Sequence, residues 1–468
     1  MAAESDGIPT GRISRGLPLA RLASVNTMAR LAGWARRGGD AKELARFVKE
    51  AQRYVATLGE MKGAAMKVGQ MLSFLDSNLV PEAYRPIYQE IAGALQADAP
   101  PVPVETVRKV IEGELGRPVD DVFEWFGQKP MAAASIGQVH AAHLRGGREV
   151  VVKVQYPGAA AAVRADLANT ELLASIAAAS SRLLGPLRPF ADPRAVAEEI
   201  RERVGEELDY RIEAANLAEF AGHYRDHPFI RIPGLVPELC TERVLVMDEV
   251  DGLRWNVALQ QPQELRDQWG EVVYRFVFTS LYEHGVFNAD PHPGNYLFHE
   301  DGTVTFLDFG CVKRFADLQV DRMRDLMASV LRGEGDPDAL KRVLIDFNLL
   351  PSDTKLTAQR IFDWYAPMQL PERHDPGTFT PEFAAFVVQR NFDPLGEWGE
   401  MARGMGIGPK SKDYTFLTRI QLGLFSVLGG LRATGPWHAI AAEVMWGDPP
   451  QTERGRQHAT WKATHAPG

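Results

Sequence analysis

A chain of 468 residues is long enough to bury a large core and divides into two or three structural units. Its hydrophobic share of 45% and charged share of 24% are those of a folded globular protein, and a net charge of -9 argues against a nucleic-acid partner. Two cysteines, Cys240 and Cys311, exclude a disulfide framework and point to a reducing compartment. No apolar run reaches the roughly 18 residues that a spanning helix needs; the best candidate, Ile420 to Leu431, is too short.

Residues 1–40 form a basic arm, with six arginines and no acidic residue between Gly7 and Gly39. Leu17, Leu19, Leu22, Met28, Leu31 and Trp34 are interspersed. This composition suits an interfacial segment drawn to anionic lipid, an organellar transit peptide or a loosely ordered arm. The apolar stretches are too short and interrupted for a secretory signal. Residues 41–115 are helical in pattern, with breaks at Pro81 and at Pro100-Pro101-Val102-Pro103. Met61, Ala65, Val68, Leu72 and Leu75 recur at helical spacing, so one stripe packs against the rest of the protein. Lys67 and Gln70 are three residues apart and face a common site.

Residues 116–249 are expected to form a small mixed lobe. Phosphate-covering loops take the form G-x-G-x-x-G-x-V. The matching residues are Ala132, Ala133, Ala134, Ser135, Ile136, Gly137, Gln138 and Val139, with alanines at the first two glycine positions. Fourteen residues on, the apolar strand Val150 to Val154 carries Lys153, which is costly to bury unless phosphate oxygens or a carboxylate pair with it. Ala159 to Leu187 is alanine-rich and helical in pattern, an insertion. An acidic helix follows, Glu206 to Asn216, in which Asp209 and Glu213 are expected to share a face; Glu213 is the partner expected for Lys153. Val244 to Met247, then Asp248 to Gly252, is the hinge pattern, where backbone near Met247 and Glu249 would meet an adenine.

Residues 250–440 are expected to form a mainly helical large lobe, and 441–468 a flexible polar tail. Within the large lobe Asp290 lies five residues before Asn295, and Asp308-Phe309-Gly310 follows a short apolar strand. This is the spacing of phosphoryl-transfer kinases, in which an acceptor orients the nucleophile and hard oxygens hold Mg²⁺ on the phosphates. Asp290 suits the first role; Asn295 and Asp308 suit the second. Asn288 stands where protein kinases carry a histidine, and its amide can still bond backbone.

Four ordered signatures give the chain a resemblance to the UbiB/AarF family of atypical kinases, linked to coenzyme Q biosynthesis. They are Lys67, Gly69 and Gln70; the alanine-rich loop; Glu207 with Asp209; and Asp290 to Asn295. The resemblance implies an α+β, bilobal protein kinase-like fold with an N-terminal helical extension over the cleft and a helical insertion in the small lobe. It further implies that Lys67 and Gln70 point at the nucleotide site and disfavour conventional protein phosphorylation. ATP and Mg²⁺ are the expected cofactors. An isoprenoid quinone precursor or anionic lipid is the expected partner, with peripheral membrane contact, and a homodimer is plausible by analogy. The function expected is a lipid-responsive kinase or ATPase supporting isoprenoid quinone or lipid metabolism. A nucleotide-gated lipid-binding scaffold and a small-molecule or protein phosphotransferase are the alternatives. Alanine- and arginine-rich usage suggests a bacterial cytoplasmic protein that touches the inner membrane.

Overall fold

The computed structural model describes residues 102–134, 136–168, 208–288, 292–347, 349–392 and 412–465, with Gly205 and Met401. The chain runs through helix α1 (Val104–Leu115), strands β1 (Phe123–Phe126), β2 (Ala132–Ala134), β3 (Gly137–Leu144) and β4 (Glu149–Gln155), and helices α2 (Ala159–Ala168) and α3 (Tyr210–His223). Strands β5 (Ile230–Arg231) and β6 (Val244–Asp248), helix α4 (Gln263–His284), and strands β7 (Val286–Asn288), β8 (Tyr296–Phe298), β9 (Val304–Phe306) and β10 (Val312–Arg314) follow. Among the later helices are α5 (Trp437–Trp446) and α6 (Glu453–His465). Two compact units result, residues 1–214 with 235–249, and residues 215–234 with 250–468, the division falling inside α3.

The first unit is built on an antiparallel sheet in the order β1-β3-β4-β6, with β2 also paired to β3. Strand β4 alternates. Val150, Val152 and Val154 are buried with Val244 and Val246 of β6 and with Val107, Val110 and Ile111 of α1. The α1 residues lie at i, i+3 and i+4, one stripe of the helix, and β-branched side chains suit the pleated surface that receives it. This differs from the expected boundary at residue 115: α1 belongs to the core of the sheet, because its apolar stripe needs β4 to cover it. The opposite face of β4 carries Lys153, in register with Leu245, which clusters with Tyr210 and Ala214. Gly137 tolerates no side chain, since a Cβ there would overlap the Val154 carbonyl.

The second unit is organised by α4, with Trp269, Tyr274 and Phe276 buried. Arg275 is fully buried there and fully engaged. Its Nε donates to Glu271 at 2.8 Å, its Nη atoms to the two Glu443 oxygens at 2.9 and 2.8 Å, and Nη2 also to Thr452 at 2.9 Å. A buried guanidinium is stable only with such matched acceptors. Gly285, with φ +64°, ends α4 and turns the chain into β7. Strands β8 and β9 form an antiparallel ladder, β5 pairs parallel to β9, and β7 pairs antiparallel to β10.

The flexible tail expected after residue 441 is instead two helices, α5 and α6. The polar composition of α6 misleads because its few large groups all dock. Trp461 donates to the Arg225 carbonyl at 2.9 Å and stacks on Tyr224. His458 lies 3.0 Å from His227 and 3.4 Å from Glu283, and Lys462 lies 2.9 Å from Glu283. His223 and His284 stack nearby with centroids 4.0 Å apart. Burial, then the neighbouring charges of His458 and Arg275, pushes His227 down to about 2; burial and His223 push His284 down to about 4. For Glu283 burial acts upward, but the hydrogen bonds and charges of His458 and Lys462 win and hold it down to about 2.

A histidine depressed on folding contributes stability in full above its unfolded value near 6.5 and loses it as pH falls toward the folded value. His284 alone should cost about 2 kcal/mol between pH 7 and pH 5. Thermal melts over that range should show the loss, and H284L should remove its share of the slope while that of His227 remains. An unchanged pH slope in H284L would assign the effect elsewhere.

Candidate functional site

In the first unit the Lys153 ammonium lies 2.8 Å from both Glu213 oxygens. The side chains are 14% and 8% exposed, so the pair is mostly withdrawn from water, where neither charge would be tolerated singly. The Tyr210 ring lies 5.1 Å from the ammonium, one turn before Glu213 on α3. Strand alternation aims Lys153 away from the α1 face; helical periodicity brings Glu213 to it. Asp209 is not on that helix with Glu213. It precedes Tyr210, and its carboxylate accepts from the Arg211 backbone N–H at 3.0 Å and from its guanidinium at 2.7 Å. Asp prefers such a place because its short side chain satisfies backbone donors at a helix start. The bonds from Arg211 overcome modest burial and hold the Asp209 carboxyl below the usual carboxylate range.

Ala132, Ala133 and Ala134 form β2, opposite Val139, Gln138 and Gly137 of β3. Val139 is in turn opposite Lys153. The loop strand and the lysine strand therefore share one sheet. Met247 pairs with Val151 at the far side of β4, and the Glu249 N–H donates to the Glu149 carbonyl at 3.1 Å.

In the second unit β7 and β8 flank the segment that contains Asp290, and β9 and β10 flank Asp308-Phe309-Gly310. The Leu307 N–H donates to the Asn295 carbonyl at 3.0 Å, which brings the chain at Asn295 beside the neighbour of Asp308. Asn288 donates from Nδ2 to the Asp308 carbonyl at 2.6 Å, so the residue in the histidine position does fasten backbone. The Asp308 Oδ1 accepts from Gly310 N–H at 2.8 Å. Phe309 is fully buried against Phe220, centroids 4.7 Å apart. The Asp308 carboxylate and the Asn295 amide are hard oxygen donors of the kind Mg²⁺ takes beside phosphates and water. Asp290, Ser135, Lys67, Gln70 and Glu207 lie outside the described residues.

Residues 94–342, more than half the chain, match the ABC1 atypical kinase-like domain. The chain belongs to this family. Relatives of the ABC1 group include atypical kinase COQ8B of rat mitochondria, 32% identical over 70% of this chain and 62% of that protein. Yeast mitochondrial atypical kinase COQ8 is 32% identical over 69% and 64%, and the Arabidopsis chloroplast protein ACTIVITY OF BC1 COMPLEX KINASE 1 is 36% identical over 53% and 35%. The chain thus spans less than two thirds of each. A solved structure, the Mycobacterium tuberculosis Rv3197–erythromycin complex, aligns at a TM-score of 0.60 with 29% identity, over 87% of this chain and 99% of that one. The fold is the α+β kinase-like fold of the ABC1 group.

One structural residue escaped the motifs. Asn216, three residues after Glu213, donates to the Phe309 carbonyl at 2.8 Å and accepts from Arg314 at 2.9 Å. A polar residue among Ala214, Leu217 and Phe220 was the available signal.

K153M strands a buried Glu213 carboxylate and should destabilise by about 3 kcal/mol. The double variant K153M/E213Q should recover at least about 1 kcal/mol of it. Denaturant melts of the four proteins measure this coupling; additive losses would mean that the pair is not an energetic unit.

Proposed function

We propose that the chain is an ATP-dependent kinase or ATPase acting in, or supporting, isoprenoid quinone or lipid metabolism. The observation that carries the reading is the Lys153–Glu213 pair, a buried cation held ready on the loop-bearing sheet. Its natural use is to receive the phosphates of ATP while Glu213 fixes its direction. The backbone of Ala132 to Val139, including Ser135 and Gly137, would cover those phosphates, and backbone at Met247 and Glu249 would meet the adenine. Asn295 and Asp308 would hold Mg²⁺, whose charge offsets that of the phosphates. Asp290 would orient the attacking oxygen of water or of a substrate hydroxyl.

The lipid side of the reading rests on the family and on the basic arm. The two COQ8 proteins are named as atypical kinases of mitochondria. Lys67 and Gln70 would govern access to the nucleotide, which favours a small or lipid-borne acceptor over a peptide. No helix among the described residues is long and apolar enough to cross a membrane. We favour cytoplasmic placement with peripheral contact at the inner membrane through Arg12, Arg15, Arg21 and their neighbours, and a homodimer.

Purified protein should release phosphate from ATP in the presence of Mg²⁺, faster with anionic liposomes and a phenolic mimic of a quinone precursor. D308N should lower release by about a hundredfold or more. Nucleotide binding without release above the D308N blank would replace the enzyme by a nucleotide-gated scaffold.

A further inference from the structure

The second residue of β3, Gln138, is 1% exposed, and its side chain has no part in the roles above. Its Oε1 accepts from the Val102 N–H at 3.0 Å, and its Nε2 donates to the Val102 carbonyl at 3.3 Å. The same Nε2 lies 2.8 Å from His140 Nε2, while His140 Nδ1 lies 2.7 Å from the Gly127 carbonyl. Only one tautomer satisfies all four contacts. A carbonyl can only accept, so His140 Nδ1 carries the proton, Nε2 accepts, and the amide of Gln138 has one orientation. His140 is fully buried and stacked on Phe126 at 5.1 Å, and burial lowers its proton affinity, which favours that neutral form.

What Gln138 grips is unusual for its sequence. Val102 lies in Pro100-Pro101-Val102-Pro103, and it is the one residue of the four with a backbone N–H. No ladder can form along such a segment, yet both polar groups of Val102 are satisfied, by a side chain that imitates a neighbouring strand. The grip joins two places of consequence. Val102 stands two residues before the sheet-packed helix α1 and packs against the same core. Gln138 pairs with Ala133, one residue pair from the turn of the alanine-rich hairpin.

We infer that Gln138, oriented by His140, is a positioning residue that ties Val102, at the entry to α1, to the alanine-rich loop, so that nucleotide held by the loop and the order of the Val102 backbone are coupled through one amide. This deepens the kinase or ATPase reading above and rests on it for the nucleotide half. Pro103, the N-cap of α1, fixes the backbone that follows Val102.

The test uses the full chain, with Q138L, and with H140F as a second variant that keeps the ring stack and the Val102 contacts but removes the acceptor that orients Gln138. Amide hydrogen exchange at Val102 is followed with and without a Mg²⁺-bound, non-hydrolysable ATP analogue, together with steady-state phosphate release. Without nucleotide, Q138L should speed exchange at Val102 by about tenfold or more, with H140F intermediate. The analogue should slow exchange there in the wild type and not in Q138L. The KM for ATP should rise about fivefold while kcat moves less than about twofold, a split that general destabilisation does not produce. Exchange at Val102 that is unchanged in both variants overturns the tether. Faster exchange with nucleotide protection retained overturns the coupling. A wild type that binds no nucleotide refutes the kinase or ATPase reading and the coupling together, while the nucleotide-free comparison still decides the tether.

Discussion

The ion pair between Lys153 and Glu213 is the constraint around which the first unit is arranged. Two opposite charges at 2.8 Å, both largely shielded from water, cancel most of each other's desolvation cost and leave little margin if either is displaced. That geometry demands a strand whose side chains alternate strictly, with valines at 150, 152 and 154 turned to α1 and the lysine turned the other way. It demands as well a helix that begins at Tyr210, so that Glu213 arrives at the level of the ammonium. The sheet, the α1 cover and the α3 start are thus one solution to a single electrostatic requirement.

The second unit meets a different requirement, that of fixing an acidic turn by its backbone. Asn288 and Asn216 each spend a side-chain amide on a main-chain carbonyl, of Asp308 and of Phe309. The Asn295 carbonyl takes the amide of Leu307 in between. Carbonyls bound in this way cannot swing, so the carboxylate of Asp308 is presented from a pinned segment. Preorganisation of this kind is what the Mg²⁺-ligand role proposed for Asp308 would require.

Much of this was legible beforehand, and the reasons are local. Lys153 stands out because a lysine in an unbroken run of valines is anomalous, and the structure pairs it with Glu213; Asn295 and Asp308 stand out by a spacing shared with phosphoryl-transfer kinases. The errors share a cause as well. The four-residue interval predicts Asp209 on a helix face with Glu213, whereas its short carboxylate prefers the start of a helix. The few apolar groups of the terminal segment predict a loose tail, but Trp461 and His458 are large and dock singly. The role of Gln138 had no sequence signal at all. Its partner is a backbone 36 residues away, and a backbone has no letter in the sequence.

Gly137 shows which part of the phosphate-loop pattern is geometry and which is habit. Its Cα runs so close to the Val154 carbonyl that any side chain would collide, whereas Ala132 and Ala134 sit on a half-exposed strand with room for a methyl group. The third glycine of G-x-G-x-x-G is therefore dictated by the crossing of two strands, and the first two answer only to how the loop treats its ligand. A pattern search anchored on the first glycine would pass this chain by, whereas one anchored on the strand crossing, with the lysine strand as its second landmark, would retrieve it. In sheets of this design the diagnostic letter is the one that the protein's own backbone forbids to change.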